Sequence, residues 1–398
     1  LVKKHYCMLK PTRFGCLWLA LWLFSACTAT PPPPAASPTP APQQATTEEP
    51  APQIRTSELA FDFATPPPAE TQQNFAFTTQ GLAIHSEAQT ATLVSEKLAI
   101  TLAAPAPFLA LAAKWTAVIA PAAKLTVSVR ASVNGNDWGA WQLSSLDGDP
   151  RTQAGLFFFP PENKFIQYCI AMERDARRQT PQLAALKFRF ISPGATLQLA
   201  TLRAAQPLTR AEWHCPETKF QSKRQTAPIH HLIVHHTATA NDVQDWPAVV
   251  RTIWNFHAVT NGWRDLGYHY LIDPNGVIYE GRAGGEKSAG IHFSCANTGT
   301  LGIALLGNYL TAAPSEAALQ SLEKLLATKC QQFHLDPLGT SFHASTGLQL
   351  PHIAGHLDAN ASKGGHVCAG THCPGEKLYT LLPSIRAAVK KIVAESRL

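Results

Sequence analysis

Charge is scarce in this sequence. Asp, Glu, Lys and Arg make up 15% of 398 residues, and Lys+Arg 33 against Asp+Glu 27 leaves a formal charge of only +6. No long basic run accompanies that excess, which argues against a nucleic-acid binder, whereas a mild positive balance suits an anionic surface. An HExxH helix is missing, so a thermolysin-type protease site is disfavoured. There is no internal repeat. The apolar run near the N-terminus, residues 14–26, has thirteen residues where a bilayer span needs about 20, so it is no permanent membrane helix.

What is present is unevenly spread. Fourteen of the 16 His lie after Trp213, and 12 of the 31 Pro lie between Cys27 and Glu70. The length allows two or three domains. Lys3, Lys4, Lys10 and Arg13 precede the apolar run, and small residues then lead to Cys27. This is the layout of a lipoprotein-type signal peptide over 1–26, with Cys27 as the lipidation site and new N-terminus. Phe24 stands where that pattern usually has Leu, and plain secretion is the alternative. The chain opens on Leu1, which allows an unusual start codon or a start at Met8. The expected location is the cell envelope, lipid-anchored outside the cytoplasmic membrane, or secreted. Residues 27–73 are rich in Pro, Ala and Thr, a composition that favours extended chain, and read as a disordered linker.

From 74 to 203 the apolar pattern has period two. Leu125, Val127 and Val129 alternate with Thr126, Ser128 and Arg130, and Leu186, Phe188 and Phe190 alternate with Lys187 and Arg189. Asn134-Gly135 and Asp147-Gly148 are turn signals, and no long helical period appears, so an all-β sandwich is predicted, an accessory domain dispensable for chemistry. Trp138 and Trp141 in NDWGAWQ are candidates to stack on a sugar, although aromatics near a hairpin more often cap a core.

From 208 to 398 the texture changes. IHHLIVHH reads as a strand, 247–259 as a helix with Val250, Ile253, Trp254 and His257 on one face, and Asp273-Pro274-Asn275-Gly276 as a hairpin turn. TLGIALLGNYL is a buried strand, and two further amphipathic helices follow near 314–333 and 381–394. The mixture predicts an α/β layer fold with a central mixed sheet.

Most histidines are structural. His235, however, closes an apolar strand, His356 sits in IAGHLD and Cys373 in THCPG. Two imidazoles and a thiolate on separate elements suit a zinc site with an open fourth position, although their long separations match no compact zinc pattern.

LIVHHTAT, GWRDLGYHYLIDPNGVIYEGR, GIHFSCANTGTLGIALLGN, IAGHLDAN and CPGEKLYTLLPSIR, in that order, resemble the zinc-dependent N-acetylmuramoyl-L-alanine amidases, a family that includes the peptidoglycan recognition proteins. The resemblance runs from about Leu208 to Ala388. It implies that His235, His356 and Cys373 hold Zn2+, with Tyr268 and Thr371 as catalytic groups beside the metal. It further implies cleft roles for His292, Trp263, Arg282 and Asn297, His292 as pocket lining or support. His236 should face the other way along the strand. His356 and Cys373 are seventeen apart, longer than the usual spacing, so His366 and Cys368 in the intervening segment are competing ligands; the Pro-Gly after Cys373 favours Cys373. Ala304 stands where relatives that act on cytosolic muropeptides carry a Glu.

The activity implied is hydrolysis of the amide between the lactyl group of N-acetylmuramic acid and L-alanine, with peptidoglycan and muropeptides as partners. The alternative is a non-catalytic peptidoglycan-binding receptor lipoprotein. Cys169, Cys215, Cys295, Cys330 and Cys368 remain after the signal, the lipid site and the metal ligand are set aside. An odd number leaves at least one unpaired within the chain.

Overall fold

The computed structural model describes residues 52–102, 108–120, 122–143, 153–194, 206–217, 225–294, 296–361 and 370–396. The signal segment, Cys27, most of the expected linker, Cys295, His366 and Cys368 lie outside the described residues.

The first part of the described chain is built of strands: β1 (Arg55–Asp62), β2 (Ala69–Gln73), β3 (Phe75–Thr78), β4 (Gly81–Ile84), β5 (Thr90–Ser95), β6 (Leu98–Ala99), β7 (Leu109–Val118), β8 (Lys124–Ser132), β9 (Gln142–Leu143), β10 (Ala154–Phe159), β11 (Phe165–Glu173) and β12 (Gln182–Ser192). One sheet runs β10-β7-β12-β4-β3 with β1 also on β12, and another runs β2-β5-β11-β8-β9 with β6 on β11. The alternation in the sequence becomes burial. Leu186, Phe188 and Phe190 of one sheet join Val127, Val129 and Tyr168 of the other in a single apolar cluster.

The expected linker boundary at residue 73 needs correction, because strand begins at Arg55. β1 pairs antiparallel with β12 so that Leu59 and Phe61 pack against the core, while Glu58 stands opposite Arg189 and forms ion pairs with Arg189 and Lys187. The partner strand selects this segment; its own composition does not announce it.

The later part contains β13 (His231–His236), α1 (Trp246–Asn255), β14 (Tyr270–Ile272), β15 (Ile278–Glu280), β16 (Thr300–Leu305), α2 (Glu316–Phe333), β17 (Thr340–His343), β18 (Leu348–Pro351), β19 (Ile353–Gly355), α3 (Glu376–Tyr379) and α4 (Leu382–Glu395). Its central sheet is mixed, in the order β15-β14-β16-β13-β19, with β13 parallel to both β16 and β19 and β14 antiparallel to β15. β13 is buried along its whole length, as an interior parallel strand should be. Leu232 and Val234 face α2 and α4, meeting Leu322, Leu326, Ile385 and Val389. The other face carries His235.

The two parts share a core. Ala110 and Ala112 of β7, Phe158 of β10 and Ile191 of β12 pack with Trp246, Val249, Val250 and Ile253 of α1. Arg251, fully buried on α1, donates from Nε to the carbonyl of Pro193 at 2.9 Å, and Lys114 on β7 donates to the carbonyl of Thr260 at 2.8 Å. The strand region is therefore fixed to the later part, not suspended beside it. Among the described residues no helix is long and apolar enough to cross a membrane. Cys169, Cys215 and Cys330 are free thiols.

Candidate metal centre

Three structural elements converge at the end of β13. His235 is its fifth residue, His356 opens the 3-10 turn that follows β19, and Cys373 precedes the short α3. All three are buried, and one ligand atom from each lies within 4.8 Å of the others. The sulfur of Cys373 is 3.5 Å from Nδ1 of His235. Tetrahedral zinc with Zn–S of about 2.3 Å and Zn–N of about 2.05 Å sets its sulfur and nitrogen ligands about 3.5 Å apart. The Cys373–His235 pair stands at that spacing, and a thiolate with two imidazoles is a zinc donor set.

The hydrogen bonds around His235 decide which nitrogen is available. The hydroxyl of Thr300 donates to the carbonyl of Asn297 at 2.8 Å, so it must accept from Nε2–H of His292 at 3.3 Å. Nδ1 of His292 is then unprotonated and accepts from Nε2–H of His235 at 3.1 Å. The lone pair of His235 is left on Nδ1, the nitrogen that faces Cys373. Burial first, then the neighbouring His356 and His292, push the His235 imidazole well below its ordinary value, so it stands neutral. On the opposite face of β13, Nδ1 of His236 accepts the N–H of Tyr309 at 3.1 Å, while its backbone N–H points at the Cys373 sulfur from 3.4 Å.

A cleft of about 120 Å³ reaches the cluster at His356, with Tyr268, Trp263 and His292 among its other lining residues, while His235 and Cys373 lie buried behind it. Tyr268 is half-buried with its ring centroid 5.2 Å from that of His235. Trp263 lies against His257, centroids 4.6 Å apart. The remaining expected site residues stand elsewhere. Thr371 does not line the cleft: its hydroxyl accepts the N–H of Cys373 at 3.0 Å, which holds the cysteine rather than facing a substrate. Asn297 is also absent from the lining; its amide accepts the N–H groups of His292 and Phe293 at 2.7 and 2.8 Å and donates to Ser294. Arg282 donates to the carbonyl of Leu266 at 2.7 Å, again outside the lining. These two support the loops that carry the site.

Residues 225–376 match the family described as N-acetylmuramoyl-L-alanine amidase. The chain is 30% identical over 177 residues to peptidoglycan-recognition protein SD of Drosophila simulans, covering 44% of this chain and 83% of that protein. This chain belongs to the amidase and peptidoglycan-recognition protein family. It is also 31% identical over 196 residues to the N-acetylmuramoyl-L-alanine amidase of Homo sapiens, covering 47% of this chain but only 30% of that enzyme's length. The crystal structure of Drosophila peptidoglycan recognition protein SD aligns at 29% identity and a TM-score of 0.35, over 44% of this chain and 92% of that one. The family's matched stretch contains His235, Tyr268, His292, His356 and Cys373.

Sequence reasoning missed three contributors to the cleft. Ala154, Gly155 and Leu156 of β10 form part of its wall. His257 sits beyond the end of α1, where the helix widens into a π turn over Phe256–Thr260, and burial, followed by Arg282, pushes its imidazole down to about 3. Ser294, at a positive φ of 50°, sets its hydroxyl 3.0 Å from Nε2 of His356. Only the π turn has a precedent as a signal, since such turns recur at functional sites.

Proposed function

We propose that this chain is an exported zinc amidase that hydrolyses the bond between N-acetylmuramic acid and L-alanine in peptidoglycan. The observation that carries the reading is the buried His235–His356–Cys373 cluster, which meets a cleft at His356. Zinc held by these three side chains would supply Lewis acidity, drawing charge from the scissile carbonyl and making water acidic enough to attack near neutral pH.

The chain's own residues supply the rest. His292 and Thr300 hold His235 in the tautomer that leaves Nδ1 for the metal. Thr371 and the N–H of His236 position the sulfur of Cys373. Tyr268, at the cleft and beside His235, is placed to donate its phenolic proton to the oxygen that gains charge as the carbonyl becomes tetrahedral. Trp263, Phe256 and His257 give the cleft aromatic walls that limit water around the reacting amide. In this reading 1–26 is an export signal, Cys27 carries a lipid, and the N-terminal strands form a β-sandwich accessory domain.

Digestion of purified sacculi with the full chain, with and without chelator, tests the reading. Mass spectrometry should find stem peptides with a free L-alanine amine and muramic acid with a free lactyl carboxylate, both abolished by chelation. Binding to sacculi without release of these products would support the receptor alternative instead.

A further inference from the structure

The strand region does more than pack behind α1. Its edge strand β10 contributes to the cleft over the metal cluster and also borders a second, wider groove of about 590 Å³. Leu156 and Thr239 line both spaces, so the two adjoin. His372, one residue before Cys373, lines the groove as well. From this geometry we infer that the groove is a saccharide subsite, in which N-acetylated amino sugars of the glycan strand stack on Trp141 while the scissile amide lies over the metal cluster.

Size separates the two spaces. Small-ligand sites occupy about 300–1,000 Å³. The groove falls within that range and the cleft, at about 120 Å³, falls below it. A sugar ring needs the groove; the narrower cleft suits an extended backbone.

Chemistry points the same way. A pyranose has an apolar C–H face and a rim of hydroxyl and acetamido groups. The groove offers a flat apolar surface in Trp141, which is 37% exposed, with Leu143, Leu156 and Phe158 beside it. Asn241, Asn308 and Thr311 also line it; the oxygens of the two amides accept backbone N–H groups of Asn308 and Leu310, and the Asn308 amide N–H groups and the Thr311 hydroxyl suit the sugar rim. The guanidinium of Arg130 lies 4.5 Å from the Trp141 ring and 5.0 Å from the Trp138 ring, so the indole is stacked on its cation. Among the described residues lining the groove there is no Asp, Glu, Lys or Arg. A stem peptide, with free carboxylates and an amine, would lie there without an ionic partner. An uncharged acetylated sugar would lose nothing by it.

The identity of this ligand rests on the muramoyl reading above, but its test does not require cleavage. The probes are an N-acetylglucosamine tetramer and the sugar-free tetrapeptide L-Ala–D-γ-Glu–L-Lys–D-Ala, titrated by calorimetry into the full chain. The tetramer should bind, Trp141→Ala should weaken it by about tenfold, and Trp141→Phe should restore much of the loss by keeping a flat face. The melting temperature of each variant controls for folding. Absence of tetramer binding by the unsubstituted protein, or equal binding by Trp141→Ala, would overturn the inference. So would a Trp141→Ala effect on the tetrapeptide alone, which would put the peptide in this groove. Trp141-dependent sugar binding by a protein that cuts no sacculi would sink the amidase reading and leave this subsite standing.

Discussion

The sulfur of Cys373 lies 3.5 Å from Nδ1 of His235, and the backbone N–H of His236 points at the same sulfur from 3.4 Å. Two residues adjacent on β13 therefore aim at one atom brought from a segment more than a hundred positions later. A thiolate there is soft and charged, and a serine hydroxyl replaces neither property at neutral pH. Cys373→Ser is expected to lose stoichiometric zinc, read by elemental analysis after dialysis, and to keep its melting transition. Cys368→Ser is expected to retain zinc. The reverse pattern would move the third ligand into the segment between His356 and Cys373.

Tyr268 tests a different function of the same cleft. Its ring stands 5.2 Å from that of His235, as a neighbour of the cluster rather than a member of it. Tyr268→Phe should keep zinc and lower kcat on muropeptides by about 10²-fold, the scale of one oxyanion or acid–base group. Loss of zinc in this variant would make Tyr268 a structural support.

The site was legible because its residues sit in short ordered motifs and because strand alternation separates His235 from His236. The mixed sheet was legible for a similar reason: LIV within IHHLIVHH and TLGIALL are apolar stretches, and Asp273 accepts the N–H groups of Asn275 and Val277 in the turn foreseen there. Long-range partnership was not legible. β1 depends on β12, more than a hundred residues away, and in isolation reads as an extension of a Pro-rich spacer. Asn297 looked like a ligand-binding amide, yet its hydrogen-bonding groups close on its own loop. The role of Ala110 and Ala112 in β7 has no signal in the sequence, yet α1 packs on them.

That interface changes what truncation should do. A fragment beginning at residue 206 would bare Trp246, Val249, Val250 and Ile253, which pack on the strand region in the full chain. Each large apolar side chain returned to water costs about 1.5–3 kcal/mol. Arg251 would lose the Pro193 carbonyl as well. The fragment is expected to bind an apolar dye and to melt well below the full chain, so a region expected to be dispensable for chemistry would still contribute to stability. A fragment equal in melting temperature and dye binding would show that the interface contributes little.

His231 makes stability sensitive to acid. It is fully buried, its Nδ1 donates to the carbonyl of Pro351 at 3.1 Å, and His343 and His352 lie close by. Burial, partly opposed by the Pro351 bond, pushes its imidazole down to about 4. The unfolded chain takes up this proton near pH 6.5 and the folded chain does so near pH 4. The contribution is thus fully present above about pH 6.5 and is lost as pH falls toward about 4, by on the order of 3 kcal/mol. Urea titrations should show stability dropping through this window, with a shallower slope in His231→Asn. An unchanged slope would assign the acid sensitivity to other groups.

The relay behind His235 gives the last expectation. Thr300 matters here only through its hydroxyl: donating to the carbonyl of Asn297, it accepts from His292, and the protonation of both imidazoles follows. Gly302 leaves room for this arrangement, since a Cβ there would come within 2.5 Å of the His292 ring. Support of this kind behind a metal ligand is worth about 10–100-fold in metal affinity. Thr300→Val should therefore weaken zinc binding by that order in chelator competition, with Thr300→Ser restoring it because the hydroxyl returns. His292→Ala should weaken it at least as much, and Gly302→Ala should do so by displacing the ring without removing any hydrogen-bonding group. Apo-protein melting temperatures distinguish the two ways of failing. A variant that melts like the unsubstituted protein yet binds zinc weakly has lost the tautomer, whereas one that binds zinc normally shows that His235 keeps Nδ1 for the metal without help from His292.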